Sequence, residues 1–115
     1  MTDEATIGMT EDNGEVTITG AGTLTLLNAT EFGERLKQAS LNAVSVVVDL
    51  RPANFIDTKI IQDLGRAGVA LLGRGKRLRV LVSETAYPLR VLKISGFERL
   101  MDINVEPADL PEGGS

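Results

Sequence analysis

The sequence predicts a single-domain α/β fold, with a mixed, mostly parallel β-sheet and helices mainly on one face. Residues 46–48 are three consecutive valines, a β-branched run that is typical of a strand buried on both faces. Apolar residues then recur at helical spacing over 60–71. Alternating apolar residues over 78–83 predict a further strand, nearer a sheet edge. Because a strand–helix–strand crossover in one sheet makes parallel neighbours, this order favours a parallel arrangement.

The composition excludes several kinds of chemistry. The chain has 115 residues and contains no Cys and no His, so it has no thiol nucleophile, imidazole base or disulfide, and it lacks the usual zinc ligands. The carboxylates of Asp57 with Asp63 or Glu84 match no ligand or catalytic spacing that we can justify. We therefore predict a protein that is not an enzyme and that has no metal site and no cofactor.

Charge and hydropathy indicate the compartment and the kind of partner. The net charge of −4 disfavours nonspecific binding to nucleic acid. The basic residues of 74–79 have no aromatic neighbour on which bases could stack, which favours a solvated turn. No apolar run approaches the ~20 residues that span a bilayer, and Asp3 and Glu4 do not fit a signal peptide. We expect a cytoplasmic protein without direct contact with nucleic acid or membrane.

The N-terminal segment predicts a hairpin. Alternating apolar residues flank Asn13-Gly14, a pair that tolerates positive φ, and they predict an antiparallel hairpin over about residues 5–20. Gly20 and Gly22 are expected to break the second strand and redirect the chain.

The first predicted helix spans about residues 29–40. Asn28 is a favoured N-cap, and Glu31 three residues later completes a capping-box pattern with it. One helical face is apolar and the opposite face is charged. The predicted apolar face consists of Ala29, Phe32, Leu36 and Ala39.

The second predicted helix follows the valine strand and a turn over 54–59. Either Asp57 or Thr58 caps its N-terminus, since both residue types are favoured there. The helix is expected to end in residues 73–76, where glycine supplies the left-handed C-cap. A phosphate-binding loop is excluded, because its glycines precede a helix, whereas these follow one.

The remaining elements are short. Pro88 suits the first turn of a third helix that ends at Gly96. Residues 101–105 form a predicted last strand. The predicted organisation is a flexible N-terminus over 1–4, a domain over 5–106 and a flexible, acidic and glycine-containing tail over 107–115.

A carboxylate and a hydroxyl, those of Asp57 and Thr58, lie at the start of the second helix. In an open α/β sheet this is the carboxyl end of the strands, where ligands and partners usually meet the fold. A phosphate on Thr58 would change the local charge by about −1.5 to −2 and would meet free backbone N–H groups and the positive end of the helix dipole. The position therefore suits a switch.

Several segments together resemble the STAS domain, the fold of anti-sigma-factor antagonists. That family typically has a strand, then Phe-Ile/Met-Asp-Ser-Ser/Thr-Gly-Leu, then a helix. Here the valine strand is followed by Phe55-Ile56-Asp57-Thr58. The resemblance covers about residues 14–105. Further similar segments are 22–29 (the family's Gly-Glu-Leu-Asp-Leu before helix one), 75–78 (before a strand) and 91–100 (the family's closing Leu-x-x-x-Gly-Leu-x-x-Leu).

The resemblance implies a function. In that family the antagonist binds an anti-sigma factor, commonly a serine kinase, and frees the sigma factor; phosphorylation of the hydroxyl residue after the Asp abolishes binding. It thus implies an anti-sigma factor, a kinase-like ATPase protein, as the partner and Thr58 as the phosphoacceptor. The implied partner-binding surface consists of Asp57, Thr58, Lys59, Thr25 and Asn28.

The sequence also departs from the family pattern. Lys59-Ile60-Ile61 replaces the usual Ser/Thr-Gly-Leu, from which we expect a bulkier helix start facing any kinase, and Thr25 stands where Asp is usual. The alternative function is a non-phosphorylated STAS adaptor or scaffold in a signalling or transport complex. A homodimer and a small-ligand or nucleotide site at the sheet end stay open.

Overall fold

A computed structural model describes residues 5–84 and 87–106. The predicted flexible ends, 1–4 and 107–115, lie outside the described residues. The described elements, in chain order, are β1 (Thr6–Asp12), β2 (Glu15–Leu24), α1 (Leu26–Asn42), β3 (Ser45–Asp49), β4 (Ala53–Ile56), α2 (Thr58–Gly73), β5 (Leu78–Ser83), α3 (Tyr87–Ile94), a single 3-10 turn (Phe97–Arg99) and β6 (Met101–Glu106).

The sheet is mixed and mostly parallel, as predicted. Its strand order is β1-β2-β3-β5-β6, and β4 pairs with β2 beside this path. Only β1 and β2 are antiparallel among the described pairings; the others are parallel. The three helical crossovers all step in the same direction across the sheet, so right-handed connections place α1, α2 and α3 on one face. Strand β5 lies one place in from the edge strand β6.

Side-chain alternation along the strands makes the two sheet faces different. In β2, Val16 and Ile18 are buried, whereas Thr17 between them is only half-buried. In β5, Val80 is buried and Arg79 is exposed. The helices cover the apolar face, and Phe32 of α1 is fully buried there. All four residues of the predicted apolar face of α1 are buried in the core. The central valine strand, β3, is buried on both faces, as predicted.

The hairpin turn is confirmed, and the predicted strand break is wrong. Asn13 and Gly14 both have positive φ, 53° and 86°, the geometry that an Asn-Gly hairpin turn requires. Strand β2, however, continues through Gly20 and Gly22 to Leu24. At Gly22, whose φ is 80°, the pairing register shifts and β2 changes neighbours from β3 to β4. The glycine acts as a bulge inside one long strand.

The prediction that Asn28 caps α1 is also wrong. The helix begins at Leu26, and Thr25 is the N-cap: its Oγ1 accepts a hydrogen bond from the Leu27 N–H at 3.3 Å. Asn28 completes the capping box, because its Oδ1 accepts a hydrogen bond from the Thr25 N–H at 3.4 Å. Glu31, the predicted second member of the box, forms an ion pair with Arg35 instead, at 2.9 Å.

The C-terminus of α2 is closed by glycine, as predicted. Gly75 has φ 75°. Its N–H donates to the Leu72 carbonyl at 2.9 Å, and the Lys76 N–H donates to the Leu71 carbonyl at 2.8 Å. These two bonds form a Schellman motif, which satisfies carbonyls at the helix end. Gly96, with φ 73°, follows α3 in the same left-handed conformation.

Candidate functional site

Two helix N-termini lie side by side at the carboxyl end of the sheet. The last residues of β2 and β4 are parallel neighbours, with Leu24 opposite Ile56. The next residue of each strand is a helix cap: Thr25 caps α1 and Asp57 caps α2. The backbone N–H of Asp57 donates to the carbonyl of Leu24 at 2.9 Å, which joins the two helix starts directly.

This pairing brings the predicted site residues together. Thr25 and Asn28 belong to the capping box of α1, while Asp57, Thr58 and Lys59 open α2. Sequence reasoning did not predict strand β4, although β4 is the element that places α2 beside α1.

The turn between β3 and β4 fixes the position of β4. The carboxylate of Asp49 accepts hydrogen bonds from the backbone N–H of Arg51 at 3.1 Å and from its guanidinium at 2.9 and 2.8 Å. The hydrogen bond from the Arg51 side chain holds the pKa of Asp49 below its usual value, against the opposing effect of burial. Beyond the turn, the Pro52 carbonyl accepts from Gly22 N–H at 3.0 Å. After this turn, β4 runs parallel to the end of β2.

Asp57, and not Thr58, caps α2. The Oδ1 atom of Asp57 accepts a hydrogen bond from the Lys59 N–H at 3.0 Å. Its backbone carbonyl accepts from the N–H groups of Ile60 and Ile61 at 3.0 and 3.2 Å. Thr58 is the first helical residue and is exposed. Its hydroxyl is therefore presented at the surface without the role of a cap.

The Asp57 cap determines which hydrogen-bond donors are available to a phosphate on Thr58. The backbone N–H groups of residues 59, 60 and 61 all donate to Asp57. The expectation of free N–H groups therefore does not hold at these three positions. A phosphate would still experience the positive end of the helix dipole, but it would lie beside the Asp57 carboxylate.

Lys59 does not point its charge at Thr58. Its Nζ lies 2.9 Å from Oδ1 and 3.2 Å from Oδ2 of Asp63, one turn further along α2. Asp63 is buried, with 9% of its surface exposed, and Arg66 Nη1 approaches its Oδ1 at 3.5 Å. In the described part of the chain, no group of three or more acidic, His or Cys side chains could hold a metal ion.

Asp63 lies in a groove between α1 and α2. The groove has a volume of about 560 Å³, and small residues such as Thr30, Ala67 and Ala70 line it. Gly33 of α1 faces the carboxylate: a Cβ atom at position 33 would lie 2.5 Å from Asp63 Oδ2. Glycine is thus what allows the buried carboxylate to approach α1.

The bulkier helix start that the sequence suggested does not face the surface. Ile60, which stands where the family usually has Gly, is fully buried. Its side chain lies on the inner face of α2, in the core, and adds nothing to the exposed surface around Thr58. Two other departures from the family pattern change the charge near Thr58: Lys59 adds a positive charge, and Thr25 replaces the usual Asp and removes a negative one.

Exposed apolar side chains lie at the same end of the molecule. Leu26 and Leu27 form the first turn of α1 and are 63% and 92% exposed, and Phe55 of β4 is 38% exposed. The sequence analysis did not assign these two leucines to the site, because it began the first helix at about residue 29. The signal that could have identified them is Thr25 with Asn28, since that capping box places both leucines in an exposed first turn.

The basic cluster near the end of α2 is largely engaged in internal contacts. The guanidinium of Arg74 donates to the carbonyls of Ser40 and Ala43 at 2.6 and 2.9 Å. Arg77 lies 2.7 Å from the carboxylate of Asp102, and Arg79 donates to Asn104 at 3.1 Å. These contacts give the cluster a structural role.

The cap geometry predicts unequal effects of two neighbouring alanine substitutions. Asp57→Ala is expected to lower the free energy of unfolding by about 0.5–2 kcal/mol, because the Lys59 N–H loses its acceptor. Thr58→Ala should change the free energy of unfolding by only about 0.5 kcal/mol or less, because Thr58 is exposed and does not cap the helix. Urea denaturation of both variants measures the difference, and a larger loss for Thr58→Ala would contradict the assignment of the cap.

The family profile described as "Mlab, STAS domain" matches residues 7–103, which is most of the chain. The chain therefore belongs to the STAS domain family. No curated protein sequence matches it significantly. Within the described residues, no helix is both long and apolar enough to cross a membrane.

Solved structures share the fold. An anti-sigma factor antagonist from Mycobacterium paratuberculosis superimposes with a TM-score of 0.76 at 16% identity, over 89% of this chain and 86% of that one. A Thermotoga maritima protein assigned to the same class has a TM-score of 0.68 at 15% identity, over 94% and 90%. The antagonist SpoIIAA, in its unphosphorylated form, has a TM-score of 0.68 at 13% identity, over 95% and 93%.

Proposed function

We propose that the protein is an anti-sigma-factor antagonist that binds an anti-sigma factor of the serine/threonine-kinase type and thereby releases a sigma factor. The observation that carries the proposal is the exposed hydroxyl of Thr58 as the first residue of α2, directly after the capping carboxylate of Asp57. This arrangement occurs in a fold shared with solved antagonists. We assign the surface formed by the two helix starts to the partner. It consists of residues 25–28 at the start of α1 and residues 55–59 at the start of α2, and we call it the helix-start surface.

The helix-start surface combines features that suit a protein partner. Leu27, almost wholly exposed, and the half-exposed ring of Phe55 supply apolar area. The caps of α1 and α2 hold Thr25 and Asp57 in place. Interfaces typically bury an apolar centre within a polar rim, and large exposed apolar side chains next to ordered polar groups support such a role.

Phosphorylation of Thr58 is the proposed control. A phosphate would add a charge of about −1.5 to −2 to the helix-start surface, beside the carboxylate of Asp57. Because the N–H groups of residues 59–61 already donate to Asp57, the added charge would largely face the partner. Repulsion and the displacement of the partner's contacts would then weaken the complex.

We also propose that the protein is non-catalytic, acts in the cytoplasm and binds neither nucleic acid nor membrane directly. The chain has no His and no Cys to act as base or nucleophile. Its net charge is −4. Arg74 and Arg77 of the basic cluster are occupied by carbonyl and carboxylate oxygens.

A second candidate is a STAS adaptor or scaffold that is never phosphorylated. It is favoured by the same hydrogen bonds around Asp57, because a phosphate on Thr58 would gain little from backbone N–H groups that are already bonded. The adaptor would use the helix-start surface permanently. Intact mass after incubation with ATP and the kinase-like anti-sigma factor separates the two candidates, since only the antagonist gains a phosphate.

A matched pair of leucine variants tests the surface. Leu27→Asp is expected to weaken binding to the anti-sigma factor at least fivefold, because a carboxylate replaces an apolar contact, while an acid in the first turn of a helix does not destabilise it. Leu41→Asp is the control: Leu41 is also exposed on α1, but it lies about 21 Å further along the helix axis.

Titration calorimetry measures both affinities, and light scattering reports whether the chain alone is a monomer or a homodimer. Equal weakening by the two variants would place the partner elsewhere and contradict the proposal.

A further inference from the structure

The ammonium group of Lys59 is within reach of two sites, the carboxylate of Asp63 and the region around Thr58. Its ammonium now contacts both carboxylate oxygens of Asp63, at 2.9 and 3.2 Å. Its backbone, however, belongs to the first turn of α2, next to Thr58. The lysine stem is long and flexible, so the ammonium can reach either the groove between α1 and α2 or the helix-start surface.

The environment of Asp63 allows the ammonium to leave. The carboxylate is buried, but it lines an open groove, and Gly33 leaves the side facing α1 free of a side chain. Arg66 already approaches Asp63 Oδ1 at 3.5 Å and can remain as a counter-charge. The side chain of Lys59 is itself 39% exposed, so it lies at the rim of the groove and can rotate outward without disturbing the core.

The start of α2 would attract the ammonium once it carried a phosphate. A phosphate has about twice the charge of a carboxylate. The backbone N–H groups of residues 59–61 are occupied by Asp57 and cannot satisfy it. Among the described side chains, Lys59 is the cation nearest to Thr58 along the chain.

We propose that Lys59 is a shared cation: it neutralises Asp63 while Thr58 is unmodified, and it turns to the phosphate when Thr58 is phosphorylated. Phosphorylation at the helix start would then remove a positive charge from the groove between α1 and α2 and leave Asp63 with Arg66 alone. Through this one side chain, a modification of the helix-start surface changes the charge of a second surface. The inference rests on the proposed phosphorylation of Thr58.

A double-mutant cycle on the isolated full chain tests the proposal without any partner. Lys59→Met and Asp63→Asn, singly and together, give the coupling free energy between the two side chains from urea denaturation. The cycle is measured with threonine at position 58 and again with phosphothreonine installed there. The expected result is that the coupling falls by at least half in the phosphorylated chain.

Two controls separate this effect from a general response to charge. Thr58→Gln, which adds bulk without charge, should leave the Lys59–Asp63 coupling unchanged. The Arg77–Asp102 pair, at 2.7 Å on the far side of the sheet, should keep its coupling in every background. An unchanged Lys59–Asp63 coupling in the phosphorylated chain would overturn the proposal. Failure of the chain to bind an anti-sigma factor would instead contradict the proposed function and leave the result of this cycle unaffected.

Discussion

Thr58→Glu is expected to weaken binding to the anti-sigma factor at least tenfold, which corresponds to about 1.4 kcal/mol. The added carboxylate lies on the helix-start surface beside Asp57, so two like charges would face the partner. The fold should tolerate the change. Attraction of the new charge to the helix dipole contributes about 0.3–1 kcal/mol, and repulsion from the Asp57 carboxylate offsets part of it.

The control is Thr58→Gln, which has nearly the same shape as Thr58→Glu and no charge. Calorimetric titration gives the affinities, and thermal unfolding shows whether either variant is destabilised. We expect nearly unchanged melting temperatures for both variants and an affinity for Thr58→Gln much closer to that of the unmodified chain. Equal affinities for the two variants would contradict the proposed role of charge at position 58.

Leu71→Ala is expected to lower the free energy of unfolding by about 2–5 kcal/mol. Leu71 lies on the inner face of α2 and is fully buried, so truncation of its side chain leaves a cavity in the core. Its neighbour Leu72 is 38% exposed, and Leu72→Ala should cost only about 1 kcal/mol.

The two leucines are adjacent in the same helix, so the comparison cancels most differences in helix propensity. Urea denaturation measures both changes, provided that the dependence of the free energy on urea concentration is the same for the variants. Similar losses would mean that α2 packs on the sheet through a different face. Because native domains have only about 5–15 kcal/mol of stability, the larger loss would threaten folding itself.

The elements that the sequence predicted correctly are those whose pattern is repeated several times. The valine run of β3, the alternating residues of β5 and the apolar stripe of α1 each carry their own periodicity. Strand β4 does not: it has four residues, and only its pairing with the end of β2 makes it a strand. That contact depends on the bulge at Gly22, which no local pattern reveals.

The site was predicted in part, because its residues depend on local chemistry as well as on packing. Asp57 and Thr58 were both reasonable caps, and only the hydrogen bond from Lys59 N–H to Asp57 distinguishes them. Likewise, Thr25 and Asn28 are both favoured N-caps, and in the structure they cooperate in one capping box. The pair of Lys59 and Asp63 has ordinary i, i+4 spacing, but its burial against Gly33 follows from the packing of α1 on α2.

The close approach of Gly33 and Asp63 has a consequence for how the family can evolve. A methyl group at position 33 would lie 2.5 Å from the Asp63 carboxylate oxygen, so a larger residue at position 33 requires the Asp63 side chain to move or to be replaced. Relatives that retain the acid are expected to retain the glycine, and relatives with a larger residue in α1 are expected to have replaced the acid. The two positions should therefore show correlated substitution across STAS lineages, as a record of contact between helices that are far apart in the chain.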